Sequence, residues 1–133
     1  MATALSLSTL SNVIAVAMGG ALGAVARYGL SGWVQHFFPG VFPWGILVVN
    51  SLGSLALGFL AVLLERFFTD MEFARLLLIT GFLGAFTTFS TFSYQSVMLA
   101  QQGKFLLAGG NIMSNVMICL IFAGVGVWLG QRV

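Results

Sequence analysis

Four long apolar stretches, at residues 13–34, 44–64, 74–99 and 105–129, set the pattern of this chain, with short polar or turn-forming segments between them. A helix needs about 20 mostly apolar residues to cross the hydrocarbon core of a bilayer. The pattern therefore predicts an all-α integral membrane protein of four transmembrane helices. Phe38-Pro39-Gly40 and Phe42-Pro43-Trp44 punctuate the first gap as a turn, with Trp44 suited to the membrane interface. Glu65, Arg66, Asp70, Glu72 and Arg75 gather most of the charge between the second and third spans, which reads as a solvated loop. Gln101, Gln102, Gly103 and Lys104 separate the last two. The chain is expected to form a single domain, 1–133. It has no evident internal repeat, so any symmetry is expected from assembly of copies.

Within the spans, small residues recur at helix-packing spacing: Gly19 with Gly23, Ser54 with Gly58, and Gly126 with Gly130. Such pairs let helix backbones approach closely where lipid supplies no hydrophobic drive. They indicate packing rather than chemistry. Four thin helices enclose little volume, so an oligomer is expected.

Polar residues inside the spans are more informative, because a polar group in lipid needs a partner or a purpose. The third span carries Thr87-Thr88-Phe89-Ser90-Thr91-Phe92-Ser93-Tyr94-Gln95. On a helix Phe89, Phe92, Ser93 and Ser96 share one face, and Thr88, Thr91 and Gln95 the next. Gly81, Gly84 and the consecutive threonines predict a helix break near residues 84–87. Broken membrane helices present backbone groups that must line a cavity or bind an ion. Asn50 and Ser54 lie one turn apart on the second span, and Asn111, Ser114, Asn115 and Cys119 form a stripe on the fourth. Gly20, Gly23 and Arg27 align on the first. Singly, such residues often act as interhelical glue; as a set they suggest a polar pathway. That pathway holds many N–H and O–H donors, one nearby charge in Arg27 and no carboxylate, a composition suited to anions. Phe89 and Phe92 could add the positive edges of their rings, although two phenylalanines one turn apart also serve ordinary packing.

Composition sharpens the membrane reading. Only 6% of residues are charged, against about 25% in soluble domains. The charges are scattered, leaving no basic patch for nucleic acid. Cys119 is the single cysteine, which excludes an intrachain disulfide or a cysteine-built metal site. Residues 1–12 have no positively charged start, so a cleaved signal peptide is not expected. Arg66, Arg75 and Arg132 fall on one side of the membrane, opposed by Lys104 and, if it extends that way, Arg27. This weak bias permits insertion in both orientations, and with it an antiparallel dimer.

Three blocks carry a resemblance. Gly19-Gly20-Ala21-Leu22-Gly23-Ala24-Val25-Ala26-Arg27-Tyr28, Trp44-Gly45-Ile46-Leu47-Val48-Val49-Asn50 and the run from Gly81-Phe82-Leu83-Gly84 to Phe92-Ser93 resemble the Fluc (CrcB) fluoride channels in order and spacing. The resemblance covers nearly the whole chain, and its third block is the most specific. It implies an antiparallel, dual-topology homodimer in the lipid bilayer of an inner membrane, with two fluoride pores and a central sodium ion. By motif position, Phe89 and Phe92 look like the aromatic pair meeting fluoride edge-on. Asn50 looks like the pore asparagine, and Ser90, Thr91 and Ser93 resemble the polar track, with Gln95 and Asn115 beside it. Gly84 and Thr87 resemble the positions whose backbone carbonyls hold sodium, and Arg27 a vestibule arginine. Three departures stand out: Ile46 replaces a frequent threonine, Gln95 replaces the usual glutamate, keeping hydrogen bonding but no charge, and Asn111 and Asn115 stand where some relatives have tyrosine and serine.

The function expected is passive export of fluoride. A proton-coupled four-helix multidrug exporter would need a carboxylate within a span, whereas Glu65, Asp70 and Glu72 lie between spans. An intramembrane enzyme would need a nucleophile beside an activating base, yet the only histidine, His36, adjoins the Pro-Gly turn. A purely structural subunit would not need polar stripes on three helices.

Overall fold

The computed structural model describes residues 7–67 and 71–133, and the described residues are helical apart from short connections. Helix α1 runs Leu7–Phe37 and α2 Trp44–Phe67. The third span is composite: a short α3 (Glu72–Arg75), a π-helical stretch Leu76–Leu83, a short α4 (Gly84–Phe86), and α5 (Phe89–Gln101). Helix α6 covers Phe105–Arg132. Four segments, Leu7–Phe37, Trp44–Phe67, Glu72–Gln101 and Phe105–Arg132, have the length and hydropathy to cross a membrane. The chain is thus an all-helical, multi-pass membrane protein.

The helices outrun the apolar stretches that announce them. Glu65 and Arg66, expected in a loop, occupy the last turn of α2, while Glu72 and Arg75 form α3. Glu65, Arg66, Glu72 and Arg75 are all exposed, so helical backbone carries them with their charges outside the packed core. Asp70, assigned to the same loop, lies outside the described residues. Glu72 accepts a hydrogen bond from Asn12 at 2.9 Å, tying the second connection to α1.

Glycines set the helix pairs. A Cβ on Gly19 would lie 2.0 Å from the Leu77 carbonyl oxygen, and one on Gly23 would lie 2.1 Å from that of Phe82. Helix α1 therefore packs backbone-to-backbone on the π-helical stretch. Gly58 and Gly126 do the same between α2 and α6, against the carbonyls of Ala123 and Leu55. The spacing pairs seen in the sequence thus serve contacts within one chain. Spans one and three run parallel, as do two and four.

Both described turns use side-chain or glycine chemistry. The Gln35 amide donates to the Phe38 and Phe42 carbonyls at 3.2 and 3.1 Å, and its oxygen accepts from Gly45 N–H at 3.2 Å. It staples the first turn, where the Trp44 and Phe42 rings meet at a tilt of 51° with centroids 4.5 Å apart. Just past the end of α5 stands Gly103, whose φ of 75° is the left-handed conformation glycine tolerates. Lys104 N–H reaches back to Leu99 and Gly103 N–H to Ala100, both at 2.9 Å.

Candidate functional site

Between α4 and α5 the backbone leaves helical geometry at two residues. Thr87 has φ −84°, ψ 156°, and Thr88 has φ −151°, ψ 117°. Gly84 itself stays helical at φ −62°, ψ −36°. The extended residues are therefore the β-branched threonines, which favour such conformations, and not the glycine. Asn50 clamps the extended stretch from α2: Thr88 N–H donates to its Oδ1 at 2.8 Å, and its Nδ2 donates to the Thr88 carbonyl at 3.2 Å. Thr88 Oγ1 caps α5 by accepting from Thr91 N–H at 3.2 Å. Gly53 makes room for this clamp, since a Cβ there would sit 2.2 Å from Thr87 Cγ2.

These bonds release two carbonyls. In an unbroken helix Gly84 C=O would accept from Thr88 N–H, and Thr87 C=O from Thr91 N–H. Those donors go instead to Asn50 Oδ1 and Thr88 Oγ1. Bare carbonyls in a membrane span belong against a cavity, and Gly84 and Thr87 both line one.

That cavity is an open groove of about 590 Å³. Asn50, Thr88, Phe89, Phe92 and Asn115 share it with Gly84 and Thr87, its other walls are mainly apolar, and no carboxylate among the described residues lines it. The Phe89 and Phe92 rings meet edge-to-face at 66°, with centroids 5.3 Å apart. Phe92 is buried at 6% exposure, whereas Phe89 is 78% exposed.

The remaining sequence-derived residues are placed differently. Ser90 and Thr91 join a hydroxyl cluster on Thr88 Oγ1, at 3.3 and 3.0 Å. Ser93 donates to the Phe89 carbonyl at 2.9 Å. Gln95 stands apart from the groove in a second pocket of about 150 Å³, beside Pro43 and Gln102. Its Oε1 is buried and has no hydrogen-bond partner. Arg27 is half-buried on α1 and does not line the groove.

The asparagines form a connected row. Asn50 Nδ2 donates to Asn115 Oδ1 at 3.0 Å, and Asn115 Nδ2 donates to Asn111 Oδ1 at 2.9 Å. Asn111 Nδ2 donates to Ser96 Oγ, which donates to the Phe92 carbonyl, both at 2.9 Å. Sequence reasoning placed Asn111 on the polar stripe of the fourth span and Ser96 on the Phe92 face but gave neither a role of its own at the site. The signal available was their placement alone, Ser96 on the Phe92 face and Asn111 one turn before Asn115.

The supply of free donors is smaller than the composition suggested. Ser51, Ser54, Thr87, Ser93, Ser96 and Ser114 each donate to the carbonyl four residues earlier. A hydroxyl so engaged presents lone pairs outward. Both N–H groups of Asn50 are likewise taken. The α2 and α6 stripes therefore hold the bundle together in this single chain, and the hydroxyl cluster at Thr88 adjoins the groove.

Residues 14–127 match the family described as CrcB-like protein, Camphor Resistance (CrcB). A protein of Syntrophotalea carbinolica named fluoride-specific ion channel FluC is 41% identical over 91% of this chain and 98% of its own length. Proteins of the same name from Chloroflexus aurantiacus and Hydrogenovibrio crunogenus are 42% and 46% identical, covering 92% and 90% of this chain and 97% and 91% of their own lengths. With four helical spans, a family match over most of its length and relatives more than 40% identical, this chain belongs to the CrcB family.

Proposed function

We propose that this chain is a passive, fluoride-selective ion channel that exports fluoride, acting as an antiparallel homodimer with two pores in the inner membrane. The observation that carries the reading is the groove at Thr87–Thr88. It joins an edge-to-face aromatic pair to a helix interruption, and no carboxylate among the described residues lines it. A carboxylate there would repel an anion or suit proton coupling; ring edges and hydroxyl protons attract an anion instead. The names of the relatives supply the ion's identity.

In this reading Phe89 and Phe92 replace part of the hydration shell, and Ser90 and Thr91 offer hydroxyl protons beside them. Asn50 and Asn115 shape the groove wall, and Ser93 continues the track along α5. Gln95, in its own pocket, marks a further stretch of the path, and Arg27 attracts anions towards a vestibule. Desolvation makes several partners necessary, because one charge-assisted hydrogen bond returns only about 1.5–3 kcal/mol. The antiparallel pair is supported by the weak charge bias and by the groove, which a single chain leaves open.

The Gly84 and Thr87 carbonyls fit a hard monovalent cation. They are oxygen donors without their helical partners, on the groove wall. Two copies would offer four such oxygens, and sodium bound there would supply a positive centre holding the subunits together. The chain's own part is to keep those carbonyls bare, through Asn50 and the Thr88 cap.

Purified protein in liposomes tests the function. Loaded fluoride should leave through the protein, followed with a fluoride electrode, while chloride is retained. Equal release of chloride would remove the selectivity, and no release from either load would remove the channel.

A further inference from the structure

The row of asparagines begins and ends on main-chain groups that cannot exchange roles. Thr88 N–H can only donate, and the Phe92 carbonyl can only accept. Between them every bond runs in the same sense, through Asn50, Asn115, Asn111 and Ser96. Turning over Asn50 or Asn115 would set N–H against N–H on one side and oxygen against oxygen on the other, and turning over Asn111 would set its N–H against that of Asn115. The Thr88 N–H therefore fixes the orientation of all three amides in turn, and the Ser96 hydroxyl, which can donate or accept, completes the row at the Phe92 carbonyl.

The path of the row matters as much as its polarity. It leaves the third span at the cap of α5, crosses to Asn50 on α2, passes along α6, and returns to α5 at Ser96 and Phe92. The segment it brackets carries Phe89 and Phe92. Asn111 is fully buried and Ser96 is 5% exposed, and neither lines the groove.

We propose that Asn111 and Ser96 are positioning residues of the conduction site. With the Asn111 main-chain carbonyl, which also accepts from Asn115 Nδ2 at 3.1 Å, they hold Asn115 with its carbonyl towards Asn50, leaving Asn50 free to grip the Thr88 peptide and set the first turn of α5. The spacing of the two rings then depends on a side-chain brace outside the pore. This inference rests on Asn50 and the phenylalanine pair being pore residues. Interhelical glue alone would add stability; a brace of fixed polarity adds orientation, which selectivity reads and folding yield does not.

The test compares Asn111→Leu, Ser96→Ala and Asn50→Ala in liposomes. Fluoride flux per folded protein and fluoride-over-chloride discrimination are measured on the same preparations. Asn111→Leu and Ser96→Ala should each slow fluoride about tenfold, the scale of one misplaced buried hydrogen bond, and narrow the discrimination. Wild-type flux and discrimination in both, beside a slowed Asn50→Ala, would overturn the positioning role and leave Asn50 in the pore. Wild-type behaviour of Asn50→Ala would remove the pore reading, and this inference with it. Should Asn111→Leu fail to fold, Ser96→Ala carries the comparison alone, since it deletes one hydroxyl and leaves all three asparagines.

Discussion

Phe89 and Phe92 are chemically identical and sit one turn apart, yet one is exposed and the other buried. Their roles in stability should differ accordingly, while a shared pore role would make both essential to transport. Phe89→Ile and Phe92→Ile should each cut fluoride flux per folded protein by roughly tenfold or more, as expected when several kcal/mol of desolvation go uncompensated. Flux measured beside gel filtration checks this, and preserved flux with a poorer elution profile would assign the pair to packing. Thr88 invites a second substitution. Removing its oxygen deletes the cap of α5, so Thr88→Ala should cost about 0.5–2 kcal/mol of stability. Ser93→Ala removes only a bond to the Phe89 carbonyl and should unfold close to the wild type in a thermal melt. Equal losses in the two would deny the cap its special place.

Helix packing rests on a few glycines, and the structure separates those that matter from their neighbours. Gly19 faces the Leu77 carbonyl, whereas a Cβ on Gly20 would meet nothing within 4 Å. Gly19→Ala should therefore destabilise the chain by about 1–3 kcal/mol through overpacking, and Gly20→Ala should be silent, as thermal unfolding in detergent would record. The four spans were legible in the sequence because hydropathy over some twenty residues marks them unambiguously. The π-helical stretch Leu76–Leu83 was not, because an almost uniformly apolar run carries no periodicity to distinguish one helical hydrogen-bond pattern from another. Asn50 could be picked out as polar in an apolar span, but its partners lie 38 and 65 residues away, beyond any local pattern. Gly84 drew attention as a helix breaker, yet it is helical, and the threonines after it carry the extended geometry. The likeness to known relatives pointed to the right family because it rests on residue order and spacing rather than on any one helix.

For the whole molecule, the proposed antiparallel pair makes two demands. Single-cysteine labels at either end of a span should react from both faces of the membrane, and labelling from one face only would refute dual insertion. Replacing sodium by a large organic cation, with prolonged exchange, should weaken the dimer or slow transport; a dimer and flux untouched by the exchange would remove the proposed cation. Neither result alone reaches the central claim, that the assembled protein is a passive and fluoride-selective pore. The most direct measurement is the reversal potential across a bilayer holding the purified protein, with fluoride on one side and chloride on the other, and no other driving force. The account predicts current without any added energy source and a potential far from zero, with the sign set by fluoride movement. A potential near zero, or current that requires a proton gradient, would contradict it.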